Sequence, residues 1–450
     1  MLNIGWATRD FTPDRPALLQ GQMHVRVATE ALDPLTLTCM AIEGDGDCAL
    51  LISADMPFCD ESLHAEVRRR LAALLPEVPA EKIVMNATHT HTSLVYIDEF
   101  YPHPGGDVMT AQECFDLITE RTVEVAAAAW QARAPHKVAR AFGHAVVAHN
   151  RRACYTDGHA QMYGSTDRAD FDWIEGYEDH SLDLLFTWDA AGTMDGMLVN
   201  VPCPSQVDEH LYQCSADYWH EVRQVLRARF GEGLCVLAQC GAAGDQSPHF
   251  MLYGAQEEEM RKRRGVSERQ EIAIRVLDAV ERALACTDPV DGDVPFAHAV
   301  RTVDLPPRGV SQQERDWAAA ECVRFSTEHG SDSWWPQRLQ MVVDQYEGRL
   351  TPDSHPTEVH VLRLGDAVIA TNPFELYTDY GLRIKARSAA AQTIVAQIVG
   401  GTGWYLPTER AVEGGGYGAM PVVCKVGPEG GRRLVEVTLE MIGEVMAVVV

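Results

Sequence analysis

Asn86-Ala87-Thr88-His89-Thr90-His91-Thr92-Ser93 decides the reading of this 450-residue chain. The apolar run just before it, residues 82–85, predicts a short buried strand. That strand ends in two histidines spaced by one residue. On extended backbone the side chains at i and i+2 share a face, so both imidazoles are expected to project together. Strand ends are where α/β folds place their ligands. Neutral imidazole is the commonest metal ligand and titrates near neutrality, so the pair suits metal binding or acid–base work. Two polar residues that merely close a strand are the plainer alternative.

Outward from this stretch, strands and helices alternate with hairpins. Residues 35–42 and 48–53 flank Glu43-Gly44-Asp45-Gly46-Asp47 and predict a hairpin. Residues 61–75 carry helical spacing, with Leu63, Val67, Leu71 and Leu74 on one face. Further helices are predicted over 112–133, 218–230, 267–286, 311–328 and 375–387. Residues 182–187 and 197–201 read as paired strands around Gly192, and 359–364 with 367–371 as a second hairpin around Gly365-Asp366. Residues 234–238 and 393–399 read as buried strands. The pattern predicts an α/β fold of mixed sheets flanked by helices. One domain over 1–450 is expected, with a two-lobe division near 288–295 as the alternative. No internal repeat is evident.

Composition narrows the function. Hydrophobic content of 46% and charged content of 23% are ordinary for a globular protein. A net charge of −27 argues against nucleic acid and against anionic membrane surfaces. The first residues lack a basic and apolar leader, and no long apolar run suggests a membrane span, so a cytoplasmic location is expected. The twelve cysteines are dispersed without a CxxC pair and are expected to be reduced thiols. The partner expected is a small-molecule substrate, and a homo-oligomer is compatible with the chain.

Polar groups collect where the predicted strands end. Asp55 follows 50–54, Gly241 to Pro248 follow 236–238, Glu375 follows 367–371, and Tyr405 follows 394–399 and the Gly400-Gly401 turn. Two imidazoles, a carboxylate and a phenol could meet around one divalent ion, and catalytic zinc sites leave a position for water. Each has a plainer reading. Glu375 could complement the dipole of the helix it is expected to open, Ser247 could be a turn residue before Pro248, and Tyr405 beside Trp404 could be packing. The Gly241–Gly244 loop could present backbone N–H groups to an oxyanion. Residues 100–109 and 329–336, with the Trp334-Trp335 pair, are expected to line the pocket or pack as loops.

Taken in order, these segments resemble the catalytic domain of the neutral (non-lysosomal) ceramidase family. Ile4-Gly5-Trp6-Ala7-Thr8-Arg9-Asp10-Phe11-Thr12-Pro13, Asp33-Pro34-Leu35, Thr88-His89-Thr90-His91, Asn150-Arg151, Gly241 to Pro248, Pro373-Phe374-Glu375 and Tyr405-Leu406-Pro407-Thr408 carry the resemblance. It implies His89, Glu375 and Tyr405 as zinc ligands. His91 becomes a residue that hydrogen-bonds the substrate or tetrahedral intermediate, and Arg151 lines the substrate site. Ser247 occupies the position of a serine once proposed as nucleophile, although a zinc-bound water is the simpler one. The family's further ligand lies in a segment of type Asn-x-x-x-His-Pro. Here that stretch is Asn200-Val201-Pro202-Cys203-Pro204-Ser205-Gln206, and the histidine position falls on Pro204, which cannot bind a metal. Cys203, Gln206, His210, His220 or His91 are the candidate replacements. The resemblance covers the catalytic domain, and the family's C-terminal immunoglobulin-like domain is expected to be missing.

The expectation is a metal-dependent hydrolase that cleaves an amide or related bond of a soluble small molecule rather than ceramide. Two rivals stand beside it. One is a metal-free acid–base hydrolase of a sugar or sugar acid. The other is a non-catalytic binding relative that lost its metal at Pro204.

Overall fold

The structure is a computed structural model that describes residues 2–97, 101–289, 294–330 and 333–447. β1 (Asn3–Asp10) pairs antiparallel with β2 (Thr36–Gly44). Asp45 and Gly46, both at positive φ (50° and 78°), turn the chain tightly into β3 (Asp47–Ala54). Asp60 then accepts the N–H groups of Ser62 and Leu63 and so caps α1 (Glu61–Leu74). The chain returns as β4 (Ile83–Ala87), parallel to β3. α2 (Ala111–Gln131) opens on a Thr110–Glu113 capping box and covers the outer face of this sheet.

The same topology recurs twice. β5 (Lys137–His144), β6 (Ser181–Trp188) and β7 (Met194–Val201) pair antiparallel, α3 (Tyr218–Phe230) crosses over, and β8 (Cys235–Cys240) adds in parallel to β7. α4 (Glu268–Leu284) packs outside this second sheet with α3. In the third unit β9 (Phe296–Leu305) is followed by two helices, α5 (Gln312–His329) and α6 (Trp334–Tyr346). β10 (His355–Leu364) and β11 (Ala367–Thr371) continue the antiparallel run. A short strand, β12 (Phe374–Leu376), precedes α7 (Thr378–Arg387), and β13 (Gln392–Ala396) lies parallel to β11. β14 (Trp404–Leu406) and α8 (Pro428–Ala447) complete the chain. The sequence shows no repeat, yet three hairpin–helix–parallel-strand units share one topology.

The sheets meet on their inner faces. Ile42 and Leu51 from the first, Leu198 and Leu237 from the second, and Phe296 and Ile369 from the third belong to one buried cluster. Helices cover the outer faces, so the strands are apolar on both sides. Polar side chains lock the sheets together at one end. Ser53 Oγ and Asn86 Nδ2 both donate to the Ala238 carbonyl, at 2.6 and 3.0 Å, and Asn200 Nδ2 donates to that of Val395 at 3.0 Å. The ends of β4, β8 and β13 therefore release their loops into a common region.

Most predicted elements are present, with three corrections. Glu375 does not open a helix: it lies in β12, and the helix starts at Thr378. The aromatic pair Trp334-Trp335 lies in the first turn of α6 rather than in a loop. β4 ends at Ala87, and His89 has a left-handed backbone (φ 64°), so the two imidazoles do not face one cavity through strand alternation. The expected pocket loops at 100–109 and 329–336 and the division at 288–295 fall partly outside the described residues. All twelve cysteines are free thiols. Among the described residues no helix is long and apolar enough to cross a membrane.

A buried histidine cluster joins the first and third units. His298 Nε2 lies 3.0 Å from His360 Nδ1, and His360 Nε2 lies 2.9 Å from Glu358, which also pairs with Arg68. His64 is nearby on the Ile83 carbonyl, at 3.0 Å. Burial pushes His64 down to about 4 and also lowers His298 and His360. The folded protein keeps these rings neutral while the unfolded chain takes up protons below about pH 6.5. Their contribution is therefore complete above pH 6.5 and is lost as pH falls toward 4, on the order of 3 kcal/mol for His64 alone. Urea unfolding midpoints should drop steadily from pH 7 to pH 5, and a flat profile would contradict the assignment.

Candidate active site

His89, His91, Glu375 and Tyr405 all line one cavity of about 380 Å³. β12 and β14 pair in parallel with Glu375 opposite Tyr405, which sets the carboxylate and the phenol side by side. The His89 Nδ1 lies 2.5 Å from the Pro57 carbonyl oxygen. A carbonyl can only accept, so Nδ1 carries a proton, and Nε2 is the nitrogen turned to the cavity. That nitrogen faces Glu375 Oε2 at 3.4 Å. Burial alone would raise the Glu375 pKa, but His89, Arg151 and Tyr405 hold it below the usual range. Burial and Glu375 together push the Tyr405 phenol well up.

His91 is held differently. Its ring meets that of His89 edge-on, with centroids 5.1 Å apart. Its Nδ1 is 3.0 Å from Glu209, an ion-pair distance with poor hydrogen-bond alignment. Its Nε2 is 2.7 Å from the Gln206 amide nitrogen. Burial lowers the His91 pKa against the pull of Glu209. Glu209 also reaches His249 Nε2, at 3.2 Å. Burial disfavours charge on His249, but Glu209 outweighs it and the pKa is raised. Arg26, fully buried, donates to the carbonyls of Glu209, Leu211, Gln20 and His91 and so pins both loops.

Arg151 lies behind this floor and does not line the cavity. One guanidinium nitrogen donates to Tyr163 at 2.8 Å, and the other to the Gly244 carbonyl at 3.1 Å and to Tyr405 at 3.3 Å. It also lies 4.0 Å from Glu375. Its position is that of a group that orients Tyr405 and Glu375. Ser247 is fully buried outside the cavity lining, accepting from the Tyr163 hydroxyl and the His249 N–H. Among the described residues no imidazole hydrogen-bonds its hydroxyl.

Other expected contributors are spent on structure. Asp55 forms a buried bidentate pair with Arg223, at 2.7 and 2.9 Å. Three of the four N–H groups of the Gly241–Gly244 loop are engaged too: Gly241 on the Val201 carbonyl, Ala243 on Gln397, Gly244 on the Leu376 carbonyl. The loop is a joint between units, and these three N–H groups are not free for an oxyanion.

Of the candidate replacements for the Pro204 position, Gln206 and His91 are at the site. The buried Cys203 thiol faces the Val147 and Pro204 carbonyls, His210 is largely exposed, and His220 lies in α3. Sequence reading missed Glu209, His249 and Tyr163. Glu209 sits three residues past Gln206 and His249 two past Ser247, so neighbourhood to a motif was the available signal. Backbone strain also marks the site. His89, Tyr163, Ile398 and Trp404 all have positive φ, from 56° to 64°. A β-branched or bulky residue there costs about 1–3 kcal/mol and persists only where its surroundings impose it.

The donor set decides whether a divalent metal fits. Two acceptors, His89 Nε2 and Glu375 Oε2, face each other, which requires a proton or a cation between them. Their 3.4 Å separation exceeds the roughly 2.7–2.9 Å of a charge-assisted hydrogen bond. It matches the edge of a tetrahedron with ligand bonds of about 2.0–2.1 Å. Tyr405 supplies a third oxygen beside Glu375. Among the described residues no three His, Cys, Asp or Glu side chains converge, so the phenol is needed to complete the set. On this chemistry His89, Glu375 and Tyr405 fit a three-donor site.

The architecture has counterparts among solved structures. It is a mixed α/β fold in which several sheets are covered by helices. That fold is shared with the neutral ceramidase from Pseudomonas aeruginosa, at a TM-score of 0.70 and 15% identity over 100% of this chain and 75% of that one. A ceramidase complexed with C2 is equally similar, at a TM-score of 0.70 and 14% identity over 98% and 74%. No family model and no curated relative matches the sequence.

Proposed function

We propose that this protein is a metal-dependent hydrolase that cleaves an amide or related bond of a small soluble molecule. The observation that carries the reading is the His89 Nε2 facing Glu375 at 3.4 Å, with Tyr405 alongside, at the floor of a cavity. His89, Glu375 and Tyr405 would hold a zinc-like ion, whose chemistry is to lower the pKa of water toward 7 and polarise a carbonyl. The reaction consumes one water: its oxygen bonds to the acyl carbon, the carbon–nitrogen bond breaks, and the water's protons end on the amine and the acid. Arg151 fixes Tyr405 and Glu375 from behind. His91, whose Nδ1–H faces Glu209, presents its Nε2 lone pair once substrate displaces the Gln206 amide, takes the attacking water's proton there, and as imidazolium serves the developing oxyanion or protonates the leaving nitrogen. A cavity of about 380 Å³ is at the small end of ligand sites and suits a compact substrate.

The test combines elemental analysis of the purified protein with hydrolysis of a panel of N-acyl amides, with and without chelator. About one equivalent of metal and chelator-sensitive turnover are expected. Turnover by metal-free protein would instead favour the acid–base reading, in which His89 is an imidazolium paired with Glu375. That reading draws support from Pro204 and from the buried Arg151 cation beside the same carboxylate. His91→Ala should lower turnover by about 10²–10³ and leave metal content unchanged, as expected for loss of a group aimed at an oxyanion. Loss of metal in that variant would make His91 a ligand.

A further inference from the structure

The wall of the cavity away from His89 is built from indoles and cations. Trp334, in the first turn of α6, stacks on Trp404 with ring centroids 5.5 Å apart and planes 26° from parallel. Arg338, one turn further along α6, lies over both rings, at 5.5 and 5.7 Å. It donates to the Val422 carbonyl at 3.2 Å. Lys425 is half-buried in the same lining and donates to the Thr402 carbonyl at 3.0 Å. Glu61 is the carboxylate that acts on its ammonium electrostatically. Glu61 is itself engaged, accepting the N–H and hydroxyl of Thr402. Burial lowers the Lys425 pKa, Glu61 opposes this, and the neighbouring charge of Arg338 adds to the lowering. An ammonium with three donors and one carbonyl partner, set in the cavity lining, keeps donors to offer an anion.

We propose that Lys425 and Arg338 form an anion-binding subsite in the cavity that holds His89, and that the substrate carries a carboxylate on the group held against the Trp334–Trp404 wall. The subsite rests on the hydrolase reading only for its role in substrate choice; the binding itself does not depend on catalysis. The substrate class is then a small N-acyl or O-acyl compound with a free carboxylate and a flat or apolar portion. The indoles bury the apolar portion, and a charge-assisted contact from Lys425 fixes the anion. Such a contact is worth roughly a 10- to 100-fold preference over an uncharged isostere.

Calorimetry with phenylacetate and phenylacetamide tests the subsite without turnover. The wild-type protein should bind the anion more tightly by that factor. Lys425→Met should erase the preference and Lys425→Arg should keep it. Arg338→Met, at the second cation, should weaken it in part and provides a test if Lys425→Met does not fold, judged by circular dichroism. No preference in the wild type, or an undiminished one in folded Lys425→Met, would overturn the proposal; the latter would place the carboxylate on a metal instead. Parallel assays with 4-nitrophenyl acetate and 4-nitrophenyl hydrogen succinate separate the two readings. A binding preference without hydrolysis of either ester leaves the subsite standing and removes the catalytic role. Hydrolysis of both esters, together with no binding preference for phenylacetate in calorimetry, removes the subsite and leaves catalysis.

Discussion

His89→Ala should abolish both metal retention and turnover, a loss larger than the about 10²–10³ expected of His91→Ala. The imidazole is the one nitrogen donor of the proposed set, and its Nδ1 is already committed to the Pro57 carbonyl. Removing it leaves Glu375 facing an empty corner and takes away whatever activates the water. The fold should survive, because His89 contributes a strained backbone position and little apolar burial. His89→Gly is the useful companion: it accepts φ 64° without strain and still lacks the imidazole. Metal content by elemental analysis and turnover on the best amide of the panel are the measurements. If the alanine variant keeps its metal and turns over at a rate near the wild type, the three-donor site is wrong.

Gly244→Ala should be nearly as damaging for a different reason. A Cβ at Gly244 would sit 2.3 Å from the Glu375 carbonyl oxygen and 2.8 Å from its carbonyl carbon. Both are backbone atoms and cannot swing aside. The Gly244 N–H is bonded to the Leu376 carbonyl at 2.8 Å, so the loop cannot withdraw without breaking β12's anchorage. The added methyl must push β12, and Glu375 with it, away from His89. Overpacking of this kind costs about 1–3 kcal/mol of stability. Activity should fall much further than stability does, since catalytic geometry tolerates little displacement. Thermal unfolding paired with kcat/KM would show the split. A variant with wild-type kcat/KM would mean that Glu375 is not positioned by this contact.

The parts of the fold legible in the sequence were those specified by neighbours along the chain. The Asp45-Gly46 turn needs two residues tolerant of positive φ, and the sequence supplies them between two β-rich runs. The helix Glu61–Leu74 is legible from its apolar spacing, and the hairpin around Gly365-Asp366 from its turn residues. Glu375 was misplaced onto a helix because Phe374 to Leu376 is too short to show a strand period. Its strand character comes from Trp404 to Leu406 alongside it, a partner that local pattern cannot name.

The candidate site divides in the same way. His89-Thr90-His91 announced itself through spacing, and Glu375 and Tyr405 through resemblance and position after strands. Their convergence, and the assignment of Arg151 to the rear of the site, depend on contacts such as Arg151 to Tyr405, 254 residues apart. Glu209, His249 and Lys425 carry no motif; only their placement beside His91 and the indole wall gives them a part. The sequence by itself determined the elements, their caps and turns, and which residue types end the strands, because those are settled by backbone sterics and apolar periodicity over a few residues. Tertiary structure alone decided which strand ends share a cavity, which polar groups are spent on cross-links, and which charges are left facing the space. Those outcomes are set where three sheets meet on a common core, and burial there fixes partners that the chain order leaves open.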